Sequence, residues 1–257
     1  MPKIFLAACS HIKNPIINSG IKPHYILESF MDLRGNGKST QEYINWCLTA
    51  DEFLLDSGAY SFMNKAKKAT NLTTKEINTF IKDYAQFIIK YNIQHYFEMD
   101  LDCIFPYSKI KKIRKYLEET TKRKCIPVWH MSRGMNDFYE MCLNYDYVAV
   151  GGINNEIKKK DQGIFYKLCD IAHSFGCKVH GLGYLPLQII NENNCPFDTI
   201  DGTGWQGHIR AVKFSLENNN ICKEKDLELS NGKRSWKDNE AEGFRIWTEF
   251  SKLKELN

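Results

Sequence analysis

Short apolar runs recur along this chain, and each closes on a polar residue or a glycine. "IFLAACS" (4–10) leads to Ser10 and His11, "FLLDSG" (53–58) to Asp56, and "HYFEMDLD" (95–102) to Asp100 and Asp102. "CIPVWH" (125–130) stops at His130, "YVAVGG" (147–152) at Gly151 and Gly152, "KVHGLG" (178–183) at Gly181 and Gly183, and "FDTIDG" (197–202) at Asp201. Runs this short, rich in β-branched and aromatic residues, read as strands buried on both faces.

Helical periodicity fills the intervals. Residues 74–91 place Ile77, Phe80, Ile81, Tyr84, Phe87 and Ile88 on one stripe. Thr74 and Glu76 mark its start without a full capping box. Residues 107–121 carry the same pattern on Ile110, Ile113 and Leu117, and 161–175 and 206–217 read as further helices. Strands alternating with helices predict parallel βαβ units. The expected fold is therefore α/β, a single (β/α)8 TIM-type barrel over residues 1–257, its eighth strand unassigned. An open doubly wound sheet is the competing arrangement. Residues 218–240 are polar and turn-rich, and 241–255 read as a terminal helix, so 218–257 is expected to pack on the barrel.

Composition narrows the class. The 257 residues suit one barrel, and 43% hydrophobic with 26% charged residues excludes a disordered chain. A net charge of +4 permits a polyanionic partner without demanding one. Nine cysteines, with no CxxC pair, point to reduced thiols rather than disulfides or structural zinc. With no signal peptide and no apolar stretch near the roughly 20 residues that span a bilayer, a soluble cytoplasmic protein is expected.

Three features invite over-reading. "RGNGKST" (34–40) resembles a phosphate-binding loop, but the pattern requires glycine where Asp32 stands, so a nucleoside triphosphate site is rejected. The helix 107–124 holds eight basic residues. It is either a solvated face or a set of phosphate contacts through Lys111, Lys112, Arg114 and Lys115. His180 lies within a strand and reads as a core histidine; Cys195 and Cys222 read as buried thiols rather than metal ligands.

In a barrel the strand C-termini converge on the face that carries chemistry. The ordered strand ends here, "DSGAYS" at Asp56, "EMDLD" at Asp100 and Asp102, "VWH" at His130, "AVGG" at 149–152, "GLG" at 181–183 and "TIDGTGW" at Asp201, resemble the tRNA-guanine transglycosylase superfamily. They look most like its short branch, which inserts 7-deazaguanine bases into DNA. The likeness covers about residues 3–215, with "DSG" and "AVGG" nearly verbatim. The family's CxCxxC zinc site is absent, and His130 stands where the family has glutamine.

The resemblance implies an enzyme, a glycosyltransferase, that exchanges guanine for a 7-deazaguanine through a covalent Asp–sugar intermediate. Asp201 would be the nucleophile and Asp56 the acid/base. Asp100 or Asp102 would accept from guanine N1–H and its amine, and His130 would occupy the base-reading position. Gly151, Gly152, Gly181 and Gly183 would let backbone approach the base, and Tyr60 and Trp129 would stack on it. No cofactor or metal is implied. The implied partners are a nucleic acid, DNA ahead of tRNA, and a free 7-deazaguanine. A barrel that binds a base or nucleic acid without turnover is the alternative of a different class. A barrel hydrolase or aldolase is opposed by the lack of a strand-end lysine or of metal-ligand spacing.

Overall fold

The computed structural model describes residues 1–35, 37–68, 73–152, 163–207, 211–233 and 235–255. Eight parallel strands follow one another around a barrel: β1 (Lys3–Ala7), β2 (Tyr25–Ser29), β3 (Glu52–Asp56), β4 (His95–Tyr96), β5 (Val128–Trp129), β6 (Tyr147–Val150), β7 (Lys178–Gly181) and β8 (Thr199–Gly202). β8 pairs with β1, and the last gap, between β4 and β5, is closed by a parallel bridge of Phe97 with Ile126. There Ile126 N–H donates to Tyr96 O at 2.8 Å and Glu98 N–H to Ile126 O at 3.0 Å. The fold is an α/β TIM-type barrel.

Register explains the apolar runs. Partners Phe5↔Asp201, Leu27↔Leu54, Leu54↔His95, Val128↔Ala149 and His180↔Thr199 share a face, so one parity of every strand points inward. Phe5, Ala7, Tyr25, Leu27, Leu54, Phe97, Ile126, Val128 and Ala149 fill the interior as one cluster. The opposite parity, including Ile4, Leu6, Ile26, Leu55, Tyr96, Val148, Val179 and Ile200, packs with the helices in a second, larger core. Both faces of each strand are therefore buried, which removes the alternation an exposed sheet would show.

The eighth strand is β2, "YILES". It escaped the sequence pattern because Glu28 interrupts it. That carboxyl is fully buried on the helix side of the sheet, where Oε1 accepts from Tyr43 OH at 2.6 Å and Ser10 N–H at 3.1 Å, while Oε2 has no partner. Burial pushes its pKa up to about 7, against the pull of these donors. A carboxyl with a raised folded pKa contributes stability below its usual value, near 4.5, and loses it as pH rises through 7. Glu28→Gln is therefore expected to gain about 3 kcal/mol on wild type between pH 5 and pH 8 in chemical denaturation. A pH-independent difference would contradict the burial account.

The helix Thr74–Lys90 begins with a complete capping box: Thr73 Oγ1 accepts from Glu76 N–H at 3.2 Å, and Glu76 accepts from Thr73 N–H at 2.8 Å. The sequence places the start at Thr74 without a full box; the box is present, with Thr73 as its cap. Helices Tyr107–Thr121 and Gly163–Ser174 match their expectations, with residues 161–162 outside the described set.

The helix expected over 206–217 is a correction. Val212–Glu217 and Asn220–Lys225 form an antiparallel hairpin, β9–β10. Val212, Phe214 and Leu216 alternate with polar residues, which is a strand period. Asn218 and Asn219 both take positive φ, 49° and 60°, as a tight hairpin turn requires. The terminal helix Trp236–Glu255 packs against β1, β9 and the helix Lys13–Asn18. Among the described residues, no helix is long and apolar enough to cross a membrane.

Candidate active site

The C-terminal rim is where the inward apolar positions give way to polar ones. β3 delivers Asp56 into a turn that only glycine fits. Gly58 has φ +70°, and a Cβ there would stand 2.6 Å from both Met31 Cβ and Ser29 Oγ. The turn returns its own N–H to Asp56 Oδ2 at 2.9 Å. Even so, the Asp56 pKa is pushed up to about 6: burial contributes most, and the charges of Asp201 and Asp100 add to it against the Gly58 and Ser57 N–H groups. The strand-end carboxyls thus sense one another across the mouth.

Asp201, from β8, is held differently. Its Oδ1 accepts from Gly183 N–H at 2.7 Å and lies 3.1 Å from His180 Nε2, and its side chain is 8% exposed. These contacts on one oxygen fix the orientation of the carboxyl. The Gly183 N–H is thereby committed to this carboxylate.

A buried ionic network supports the β4 and β5 ends. Glu98, outward from the barrel axis and fully buried, takes Arg114 Nε at 2.7 Å, Arg133 Nη1 at 2.7 Å and Val128 N–H at 2.8 Å. Arg133 continues to Asp102 with a two-pronged contact, Nε to Oδ1 at 2.8 Å and Nη2 to Oδ2. Burial works against ionised Asp102, yet Arg133 holds its pKa below the usual value. Asp100 behaves in the opposite way. Burial raises its pKa and Asp102 adds to the rise, against the His130 ring, whose Nε2 is 2.8 Å from Asp100 Oδ2. Burial alone would depress His130, but the hydrogen bond and charge of Asp100 raise it. Gly151 makes room for this ring, because a Cβ there would lie 2.8 Å from His130 Cε1.

Asp56, Asp100, His130, Gly151 and Asp201 thus belong to one rim, with Gly152 following Gly151 at φ +68°. Tyr60 lies in the first turn of the helix Ala59–Lys68, which follows the Gly58 turn, and is 67% exposed, open to a flat partner. Several other expectations need correction. Trp129 points away from the barrel axis, is 1% exposed, packs edge-on against Phe138 and donates its indole N–H to Gly134 O, so it has no free face for a base. Gly181 also faces outward, since a Cβ would strike the Phe197 ring at 2.7 Å. Asp102 has both oxygens on Arg133, which leaves Asp100 as the carboxylate that acts on Asp56. His130 engages Asp100 through Nε2, so its place in the site is beside that carboxylate.

Within the basic helix, Arg114 is the correction. Arg114 is buried on Glu98 and Tyr107, Lys111 is paired with Glu140 at 2.6 Å and Asp137 at 3.7 Å, and Lys115 sits 3.8 Å from Glu119. Apolar spacing alone does not reveal which charge turns inward; Arg114 follows Ile113 and lies on the edge of the buried stripe. Lys112 remains exposed, beside Lys82, Lys109 and Tyr116 in a shallow groove. Arg114→Met is expected to destabilise the fold by about 3–5 kcal/mol, because Glu98 loses a buried partner, while leaving the salt dependence of nucleic-acid binding unchanged. A flattened salt slope with intact stability would restore the phosphate-contact reading.

Sequence spacing shows no metal cluster, yet the fold brings Asp100, Asp102 and His130 together with ligand atoms within 4.8 Å of one another. Arg133 stands in this cluster with its guanidinium on Asp102 and 3.8 Å from Asp100. The chain itself supplies the positive charge there. Sequence reasoning missed Arg133 and Glu98; the "HMSRG" stretch looked like a polar loop, and nothing in its spacing marks a buried guanidinium.

At the opposite, N-terminal mouth lies a cavity of about 1000 Å³ lined by Lys3, Glu52, His95, Tyr147, Lys178 and Asp198 among others. Its charges are mixed, and Lys3 and Glu52 pair with each other at 2.5 Å. That face of a TIM barrel ordinarily serves stability.

No family model and no curated protein matches the chain. Among solved structures, it is similar to QR15, an aldolase, at 11% identity over 79% of this chain and 89% of that one, with a TM-score of 0.48. It is also similar to a protein from Coccidioides immitis assigned as a fructose-1,6-biphosphate aldolase, at 10% identity over 99% of this chain and 89% of that one, with a TM-score of 0.54. The latter likeness extends over nearly the whole chain, and what it carries is the TIM-type barrel.

Proposed function

We propose that this chain is a base-exchange transglycosylase, a pentosyltransferase that replaces guanine in a nucleic acid with a 7-deazaguanine. The observation that carries the reading is the presence of two unlike carboxyls at one barrel mouth. Asp201 is clamped by fixed donors, and Asp56 is raised to about 6, where it can both give and take a proton near neutral pH. In the first half-reaction Asp201 bonds to C1′ as the C1′–N9 bond breaks. The bond's electron pair leaves with guanine, which takes the proton of Asp56. In the second, Asp56 removes the N9 proton of the incoming 7-deazaguanine, whose N9 bonds to C1′ while the C1′–O pair returns to Asp201.

Asp100 accepts from the guanine N1–H and amine, and His130 and Arg133 hold it in place. Tyr60 offers the stacking face. In a duplex the target nucleotide leaves its stack at a cost of roughly a few kcal/mol. DNA is the favoured strand because the zinc module of the tRNA-acting relatives has no counterpart in the sequence; tRNA is the competing substrate. A Schiff-base aldolase reading lacks its nucleophile, because no lysine ends a barrel strand among the described residues.

The test is incubation with DNA or tRNA and candidate 7-deazaguanine bases, followed by nucleoside mass analysis. Incorporation into DNA supports the reading as stated, and incorporation into tRNA alone redirects the substrate. Binding without incorporation into either strand favours the non-catalytic barrel.

A further inference from the structure

His180 sits at the centre of the barrel with no solvent exposure, ringed by Phe5, Phe97 and Tyr147. Burying an imidazole among aromatic rings requires partners for both nitrogens. It has them. Nδ1 is 2.7 Å from Thr199 Oγ1, Nε2 is 3.1 Å from Asp201 Oδ1, and Tyr147 OH lies 2.5 Å from the same Thr199 oxygen. Tyr147 reaches toward the N-terminal mouth. A chain of hydrogen bonds therefore runs up the barrel axis and ends on Asp201.

With a neutral His180 ring beside an ionised Asp201, the bond between them has one direction, and Tyr147 OH, 3.4 Å from Nδ1, adds a second donor to that side of the ring. A carboxylate accepts, so His180 carries its proton on Nε2 and donates to Oδ1. Nδ1 is then an acceptor and takes the Thr199 hydroxyl proton, and Thr199 in turn accepts from Tyr147 O–H. The reverse direction would set a bare Nε2 lone pair against a carboxylate. We propose that His180 is a positioning residue that donates Nε2–H to Asp201 Oδ1, thereby reserving Oδ2 for the bond to C1′ and stabilising the carboxylate when it leaves. The proposal deepens the transglycosylase reading and rests on it.

The consequence is asymmetric between the two half-reactions. While Asp201 is an ester, its oxygens carry little charge and the His180 bond is weak. When the C1′–Oδ2 bond breaks and the electron pair returns to Asp201, the bond becomes charge-assisted and strengthens. Losing the donor therefore slows release of the sugar from the enzyme more than its capture. A residue that served only to fill the barrel would slow both through lost folded protein.

Two measurements test this. In ¹⁵N NMR of histidine-labelled wild-type protein, with the His180 signals identified from their loss in His180→Phe, the Nε2–H tautomer is expected; an Nδ1–H tautomer would overturn the hydrogen-bond assignment whether or not the enzyme turns over. In parallel, wild type, His180→Phe and His180→Gln are incubated with DNA and a 7-deazaguanine. His180→Phe is expected to lose about 10²-fold in exchange while the covalent protein–DNA adduct accumulates. Gln, whose amide can reach Oδ1, is expected to restore most of the rate. Wild-type exchange by His180→Phe, or slowing without accumulation in a folded variant, would overturn the role. If wild type itself shows neither exchange nor adduct on DNA or tRNA, the transglycosylase reading fails and this role goes with it, whereas the NMR result still decides the tautomer.

Discussion

Asp201→Asn is expected to lose base exchange by on the order of 10⁴-fold or more, and to trap no sugar adduct. The substitution is nearly isosteric. An asparagine Oδ1 still accepts from Gly183 N–H and from His180, so the rim keeps its shape. What disappears is the charged second oxygen. An amide attacks C1′ poorly and is a poor leaving group, and among the described residues the other rim carboxyls are engaged elsewhere: Asp56 is turned to Gly58, and Asp100 to His130. The fold should tolerate the change, which thermal melting of the variant checks. A folded Asp201→Asn protein that exchanges at the wild-type rate would remove the nucleophile assignment.

Asp56→Asn should fail in a different manner, slower by about 10²–10⁴-fold with binding of the free base retained. Its proton work depends on a pKa near 6. As the acid of the first half-reaction Asp56 must be protonated, so that step weakens as pH rises above 6. As the base of the second it must be ionised, so that step weakens as pH falls below 6. The resulting maximum should vanish in the variant. The same shift makes Asp56 a stability liability. Its folded pKa lies above the usual value of 3.8, so its contribution is favourable below that value and is lost as pH rises through 6. Above pH 7 the variant should therefore be more stable than wild type, by up to about 3 kcal/mol in chemical denaturation. A less active but more stable protein is the mark of a strained functional residue. A variant that is both slower and less stable at pH 8 would argue for a structural role.

The barrel was legible because burial on both faces of a strand leaves a plain signal, an uninterrupted apolar run, and because the rim residues follow those runs directly. Asp56, Asp100, His130 and Asp201 could be located in this way. Residues whose meaning depends on which side of a strand or helix they face could not. Trp129 and Gly181 stand one position away from inward residues, and one position reverses the face. Glu28 hid β2 because a buried carboxyl in a strand looks like a break. Arg114 and Arg133 are long side chains whose charges fold back into the protein, which no periodicity records. The β9–β10 hairpin was legible in principle, since its alternation and its paired asparagines are local signals, but the apolar spacing over 206–217 also fits a helix loosely. His180 looked like a core histidine and is one; its second duty lies in the hydrogen bond to Asp201, which the sequence separates by 21 positions.

The central claim is that Asp201 bonds to the sugar of a nucleic acid. It is tested most directly by denaturing gel and intact-mass detection of a covalent protein–DNA or protein–tRNA adduct in wild type, Asp56→Asn and Asp201→Asn. The account predicts an adduct in wild type that maps to Asp201, a slower-forming adduct in Asp56→Asn, and none in Asp201→Asn. Base exchange by the wild type with no adduct under any condition, or an adduct that persists in Asp201→Asn, would contradict it.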